Sequence, residues 1–502
     1  MFKNYLKIAW RNLWRNKLYS FINITGLAVG LAVCMLIMLY VAHEHSYDQF
    51  HQDADRIFNI YEKQKMGSED FQFEMMSYAT APIIKQNDEH VESFIRIRKN
   101  FKDVIVENAA QPAVKFSEKG FYFADANFFK FFSFKLIQGN AQTVLNNPFQ
   151  VVISRDMAKK YFGDGNPIGQ RLTITSDSTY QYQVSGVAEN APSNSSISFN
   201  FVASVASMQA MPGEKNFFES QTVQGGAFKT YFKLKNAGDT THVLQSIKKL
   251  NAKNPDTDEK FLFTKLTDSH LSGFSDYSNL KYLKIFPVVA LLILLLALVN
   301  YMSLSTARAT LRAKEIGVRK VVGADRKRIA MQFYIESALF ALIAFVLAYL
   351  LFNLIEPWFL GLLQLKVDNS FLYSPVVLTI LALLLTVTIL IAGSYPSIIL
   401  SAYKPVTVLT GKQSKQSGGN MMRKVFTVLQ FSISIALIIC GIVIDRQLYF
   451  FRHMDTGINR ENIVMVPVAK TMGKNYQAFK KDIQALAAVS QTSTAHYAMY
   501  KG

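Results

Sequence analysis

The sequence predicts a multi-pass α-helical membrane protein that carries a large mixed α/β domain outside the bilayer. Three observations predict it. Apolar runs near residues 21–43, 284–306, 332–355, 374–399 and 425–445 reach the roughly 20 residues that cross a bilayer core. A short loop between the second and third runs is strongly basic, and such loops stay on the cytoplasmic side. Residues 44–283 lack a spanning run, carry about as many acids as bases, and alternate strand and helix patterns.

Composition agrees with this class. The chain has 502 residues, 50% of them hydrophobic, and a formal net charge of +18. The excess charge sits in the N-terminus, the 305–328 loop and the 404–424 linker. That distribution serves membrane orientation and argues against a nucleic-acid partner, which needs a basic face on the soluble part. Cys34 and Cys440 lie in apolar runs, so no disulfide framework staples the outer domain. No Gly-x-x-x-x-Gly-Lys-Ser/Thr, Gly-x-Ser-x-Gly or His-Glu-x-x-His occurs in the sequence. The expectation is therefore no ATP hydrolysis by this chain, no catalytic residue, no cofactor and no metal.

Residues 1–20 form an amphipathic helix. Phe2, Leu6, Ala9, Leu13 and Trp14 share a face, Lys3, Lys7, Arg11 and Arg15 lie opposite, and Trp10 is near the border. Such a helix lies in the cytoplasmic interface plane. The first spanning helix follows, with Gly26 and Gly30 at a spacing that lets another helix approach. His43, Glu44, His45, His51, Asp53 and Asp55 are dense enough to suggest a metal site, yet no spacing matches a zinc signature. The expected role is a helix continuing outward, with Asp53 or Asp55 partnering Arg56.

Within 44–283, Phe149–Ile153 reads as a strand, Ser154 as the cap of a helix through Phe162, and Arg171–Thr175 with Gln181–Val187 as a hairpin. Eight aromatics between Phe121 and Phe134 fit a core helix with a flanking strand better than an exposed cargo surface. Ala191–Ser198 reads as a polar surface loop. Pro396 bends or stops the fourth spanning helix. Residues 400–424 form a cytoplasmic linker, flexible over 411–424. The order of basic flank, spanning helix and outward segment then restarts, so residues 446–502 are expected to begin a second external domain, and the chain to be a fragment of a duplicated protein.

The loop over 307–331 holds eight bases against Glu315 and Asp325. Arg308, Arg312, Glu315 and Arg319 recur at helical spacing, with Leu304, Leu311, Val318 and Val322 on another face. Gly323 stops this helix and Asp325 caps the next. A short cytosolic helix tied to two spanning helices suits transmission of a push into the membrane.

Asn300–Glu336, with Ser305-Thr306-Ala307-Arg308, Arg312-Ala313-Lys314-Glu315-Ile316-Gly317-Val318-Arg319-Lys320 and Val322-Gly323-Ala324, resembles the signature of FtsX-like permeases. These are the membrane subunits of MacB- and LolCDE-type ABC transporters. Ser154–Gly163, Asn166-Pro167-Ile168-Gly169 and Val184-Ser185-Gly186-Val187 resemble the MacB-like periplasmic core domain. Trp10-Arg11-Asn12-Leu13 and Ser46-Tyr47-Asp48 match the family's entry to and exit from its first spanning helix. The resemblance implies a bacterial inner-membrane permease with a cytoplasmic N-terminus. Arg308, Arg312, Glu315, Ile316, Gly317, Arg319, Lys320 and Gly323 would couple it to a cytosolic ABC ATPase dimer that binds the ATP. Trp10, Arg11, Trp14 and Arg15 would anchor it at the lipid interface. A second permease half or copy and a periplasmic adaptor are further implied partners. The alternative is an FtsX-like signalling protein that activates external cell-wall enzymes.

Overall fold

The computed structural model of the chain describes residues 2–66, 69–251, 260–272, 280–311, 313–322, 324–402, 417–454, 462–466, 468, 472 and 475–494. Helices α1 (Phe2–Arg15) and α2 (Lys17–His45) lead into β1 (Ile57–Met66), β2 (Glu69–Phe73), β3 (Met75–Met76), α3 (Thr80–Asn87), β4 (Val91–Lys99), β5 (Val104–Asn108) and β6 (Gln111–Glu118). Then come β7 (Phe121–Ala124), α4 (Phe128–Phe131), β8 (Leu136–Gln138), β9 (Gln150–Ser154), α5 (Arg155–Phe162), β10 (Arg171–Thr175), β11 (Thr179–Ala188), β12 (Phe201–Ser204) and α6 (Ala206–Ala210). The outer segment closes with β13 (Phe228–Leu234), α7 (Thr240–Asn251), β14 (Lys260–Lys265) and α8 (Leu266–Ser269). The remainder is helical: α9 (Leu280–Leu311), α10 (Ala313–Val321), α11 (Arg326–Leu362), α12 (Asn369–Leu372), α13 (Pro375–Ala402), α14 (Ser417–His453) and α15 (Asn475–Gln484).

The chain divides into two compact units, one of helices (1–50, 192–196 and 266–448) and one built on a sheet (51–191, 197–265 and 449–502). In the helix unit α2, α9, α11 and α13 share one apolar core that includes Leu31, Cys34, Leu298, Phe340 and Phe352. Among the described residues, five helices are long and apolar enough to cross a membrane. Four are packed together; none of the apolar window of α14, Lys424–His453, is buried. The approach of α2 to α9 depends on Gly30, where an added Cβ would lie 2.5 Å from Ala297 Cβ. At Gly26 the nearest atom would be Asn300 Nδ2 at 3.5 Å, an ordinary contact.

Two expectations about this unit change. Pro396 does not stop α13, which runs on to Ala402: at a packed position a missing amide and a bend are accommodated, and helices commonly tolerate this in membranes. Residues 417–424, expected as linker, are the first turns of α14, because a helix propagates outward from its apolar run despite two glycines. Residues 403–416 lie outside the described ones. Beyond the spanning run, α14 continues to His453 and the described residues after it hold α15.

Among the described residues the sheet unit has fourteen strands, in the order β14-β1-β13-β4-β7-β12-β9-β11-β10-β5-β6, with β2, β3 and β8 paired off this path. Pairing is antiparallel except for β11 with β9 and β12 with β7. Its two larger cores among the described residues lie on different strands. One gathers Phe58, Ile60, Ile84, Val91, Phe232 and Val243 around β1, β4, β13, α3 and α7. The other gathers Val106, Val151, Ile153, Tyr161, Leu172 and Phe201 around β5, β9, β10, β12 and α5.

Local rules explain the pieces. Ser154 caps α5 by accepting from the Met157 amide, and Gly163, at φ 58, ends it. β10 and β11 pair as a hairpin from Thr175 and Thr179. The aromatic run is core: Phe121, Phe128, Phe129, Phe131, Phe132 and Phe134 are all buried. Asp53 partners Arg56 at 2.8 Å. Arg96 donates two bonds of 2.9 Å to Asp125 and lies 3.6 Å from the Tyr78 ring centre, so this buried charge is paired on all sides it presents.

His51 Nδ1 accepts from the Ser133 amide at 3.1 Å, and its ring lies 5.2 and 5.1 Å from Phe132 and Phe134. Burial pushes its pKa down to about 4.

Two outcomes follow from this packing. Gly30→Leu is expected to cost about 1–3 kcal/mol by overpacking, seen as a lower thermal midpoint of the detergent-solubilised chain, whereas Gly26→Ala keeps the parental midpoint. His51 is neutral in the folded state, so its contribution is full above pH 6.5 and is lost as pH falls toward 4. Between pH 7 and 5 the protection of the Phe228–Leu234 amides, corrected for intrinsic exchange, should fall by on the order of 2 kcal/mol. In His51→Asn, whose amide oxygen keeps an acceptor for Ser133, the His51 share of that slope should be lost, so the fall should be smaller by on the order of 2 kcal/mol.

Candidate functional site

At one end of the helix unit, α9 runs unbroken from the spanning window Leu283–Ala307 to Leu311. α10 follows, and α11 starts at Arg326. Arg319 Nη1 donates to Gln332 Oε1 at 3.1 Å, which fastens α10 to α11. Gly317 is buried, Arg319 exposed and Lys320 half-buried. Burial, with the Arg326 charge beside it, pushes the Lys320 amine down. Val318, Val321 and Val322 are 51%, 65% and 82% exposed, an apolar edge amid basic residues of the kind that marks a docking surface. Leu304 and Leu311 of the expected apolar stripe belong to α9 instead. Arg312 and Gly323 lie outside the described residues, as do the side chains of Arg308, Glu315 and Ile316.

α1 joins the same end. Ala9 is buried, and Leu13 packs on the helix core. Asn12 Nδ2 donates to Glu336 Oε2 of α11 at 3.4 Å. Leu6, Trp10 and Trp14 are exposed, with the two indoles 6.4 Å apart and Lys17 Nζ 5.9 Å from the Trp14 ring centre. The apolar face expected for α1 is thus divided: Ala9 and Leu13 meet protein, while Trp14 sides with Trp10 and Leu6. Arg11 and Arg15 are exposed. Open tryptophans beside bases are a pattern that interfacial helices share.

At the other end of the unit a second cluster forms, around the segment Pro192–Ser196. This segment was expected as surface loop. Instead Ser195 is buried and its neighbours half-buried, because the segment bonds to Ser46 and Asp48 just past α2 and to Asp368 just before α12. The Asp48 amide donates to Asn194 O at 2.9 Å. Asp48 Oδ1 accepts from the Ser196 amide at 3.0 Å and from Ser195 Oγ at 3.3 Å. Asn194 Nδ2 donates to Ser46 O and Oγ at 3.1 and 3.0 Å. The Ser193 amide donates to Asp368 Oδ2 at 2.6 Å, and the Asp368 amide to Ser193 Oγ at 3.1 Å. His43 Nε2 lies 3.2 Å from Ser193 Oγ, and its ring meets Phe371 edge-on at 5.0 Å.

Asp48 sits at φ 58, a left-handed conformation in which Asp and Asn are enriched. Burial pushes its carboxyl up, and the bonds from Ser196 and Ser195 pull it back. Tyr47 stacks on His270 with centroids 3.4 Å apart, and His270 Nε2 is 3.1 Å from Glu44 Oε2. Burial, then the Glu44 and Asp48 charges, push the Tyr47 hydroxyl up. The histidines and acids of 43–55 are therefore spread over separate partners: His43 to Ser193, Glu44 to His270, His51 to Ser133 and Asp53 to Arg56.

Sequence reasoning gave no role to Asp48, Ser193, Asn194, Asp368, Gln332 or Glu336. Glu336 carried a readable signal, since an ionisable residue inside an apolar run is functional by default. Gln332 is one polar residue of α11, and the others are ordinary loop residues, until their partners are known.

The family model for the MacB-like periplasmic core domain matches residues 20–250, and that for the FtsX-like permease C-terminal matches residues 287–405. The chain belongs to the FtsX/MacB-type ABC permease family. It is similar to the macrolide export ATP-binding/permease protein MacB of Escherichia coli K12, 22% identical over 430 residues, covering 81% of this chain and 60% of that protein. The chain thus spans about three-fifths of the length of the curated relatives it matches. Similar solved structures include the periplasmic region of MacB from Actinobacillus actinomycetemcomitans, at 15% identity over 43% of this chain and 90% of that one, TM-score 0.31. The extracellular domain of the noncanonic ABC-type transporter YknZ from Gram-positive bacteria is another, at 13% identity over 41% and 99%, TM-score 0.30. In this family a membrane-embedded permease works with a cytosolic ABC ATPase.

Proposed function

We propose that the chain is the transmembrane subunit of a bacterial inner-membrane ABC transporter, with α1 and α10 cytoplasmic and the sheet unit external. A separate cytosolic ATPase dimer binds ATP and closes. The closure moves α10, and the helices carry the motion to the external domain, which exports or extracts a peptide, drug, lipid or lipoprotein. The chain itself contributes no cofactor and no catalytic group. Arg308, Arg312, Glu315, Ile316, Gly317, Arg319, Lys320 and Gly323 form the coupling segment, and Trp10, Arg11, Trp14 and Arg15 hold α1 against anionic lipid. A second permease half or copy supplies the symmetric partner for two ATPases, and a periplasmic adaptor is a further partner on the outside.

The observation that carries this reading is α10 itself. It is a helix of nine residues between two long spanning helices, bonded to one of them through Arg319 and Gln332, with exposed valines at its end. Such a part has no use in a protein that only anchors an external domain.

The test is affinity purification of the tagged chain from its own membranes in mild detergent, beside a Glu315→Arg/Arg319→Glu double variant. An ABC ATPase should co-purify with the parent and be lost from an equally well-inserted variant. Gly317→Pro should stay inserted and lose at least about tenfold of the ATP turnover that the parent stimulates, since a proline breaks α10. Recovery of external cell-wall enzymes in place of an ATPase would contradict the reading and favour a signalling role.

A further inference from the structure

The chain passes between the sheet unit and the helix unit at several places, and they are not equivalent. α2 enters the sheet through β1, and β14 leads out into α8. β14 and β1 are neighbours at one end of the sheet order. By these two connections alone, only the lobe around β1, β4 and β13 is tied to a helix. The segment Pro192–Ser196 is different. It leaves β11 and returns to β12, the two strands that flank β9. These strands build the second core, with Val151, Ile153, Val184 and Phe201.

The helix unit holds this segment from two sides. Ser46 and Asp48 stand just past the end of α2, and Asp368 stands just before α12 in the connection between α11 and α13. Two carboxylates accept backbone N–H groups three residues apart, from Ser193 and Ser196. They engage the backbone, so the grip does not depend on a flexible side chain of the loop. The left-handed turn at Asp48 aims one of them.

We infer that Pro192–Ser196 is a drive link, through which the outer ends of α2 and of the α11–α13 pair move the β9-centred lobe of the external domain. This deepens the permease reading and rests on it. Asp48 and Asp368 are positioning residues: they hold the loop, not a substrate. When α2 and the α11–α13 pair shift relative to each other, the loop is carried with them, and β11 and β12 are displaced on both sides of β9. The β1–β14 end follows α2 and α8 separately. A relative movement of helices thereby becomes a relative movement of the two lobes.

The experiment uses the full chain in nanodiscs with the ATPase that co-purifies with it, read by amide hydrogen exchange with and without ATP and vanadate. Asp48→Gly removes the carboxylate and suits the left-handed backbone. Asp48→Asn keeps an acceptor at the same place. In the parent the Ser193 and Ser196 amides should exchange slowly, and ATP should change exchange across β9, β11 and β12. In Asp48→Gly the 193–196 amides should exchange at least about tenfold faster, with α9 and β13 unchanged, and the ATP-dependent change in β9, β11 and β12 should be lost while the ATPase stays bound. Asp48→Asn should restore both.

Parental exchange of the loop in Asp48→Gly overturns the clamp. A persisting ATP response with a freed loop overturns the drive role and leaves a static anchor. Absence of any ATPase from the parent overturns the permease reading and the drive role with it; the exchange of Ser193 and Ser196 still reports the clamp by itself.

Discussion

The approach of α2 to α9 at Gly30 and Ala297 leaves no room for even one carbon, and the remainder of the helix unit is arranged around that contact. Between bilayer-spanning helices there is little hydrophobic drive, so small residues and close backbones supply the packing. Here the contact joins the two helices that do most of the connecting. α2 continues outward to Ser46 and Asp48. α9 continues the other way, to Leu311 and α10. Under the permease reading proposed above, helices packed this closely would carry a push at α10 to the outer ends as bodies.

What happens at the two ends is governed by polar groups that burial forces into pairs. At the α10 end, Gln332 and Glu336 lie on α11 and meet Arg319 and Asn12. At the outer end, the Pro192–Ser196 segment is buried at Ser195 and half-buried elsewhere, and an unmet buried amide there would cost about as much as a lost hydrogen bond. Asp48 and Asp368 meet two of those amides. The same physics thus fixes α10 to the bundle at one end and the Pro192–Ser196 loop at the other.

Much of this was legible in the sequence. The spanning runs were visible because a bilayer sets a minimum apolar length. Ser154 was visible as a cap, and the run Phe121–Phe134 as core, because both signals are local. The outer loop was not legible. Its composition, Pro-Ser-Asn-Ser-Ser, is that of any solvent-exposed turn, and its partners lie 148 residues away at Asp48 and 175 at Asp368. The passage of α13 through Pro396 and the helical start of α14 were hidden for a related reason: packing and propagation from a long apolar run override a local breaker. The division of the α1 apolar face, with Ala9 and Leu13 against protein and Leu6 and Trp14 open, was not legible because periodicity defines one apolar face and cannot tell a protein-facing strip from an open one.

The most direct test of the transmission account is a distance across it. Spin labels at Lys159, exposed on α5 of the β9-centred lobe, and at Lys366, exposed in the α11–α12 connection, would be placed in a Cys440→Ser background, since Cys34 is buried. Pulsed electron resonance on the membrane complex with its ATPase, before and after trapping with ATP and vanadate, reads the distribution between them. The account predicts a shift on trapping that disappears in Gly317→Pro. An unchanged distribution in a complex that is hydrolysing ATP would contradict it.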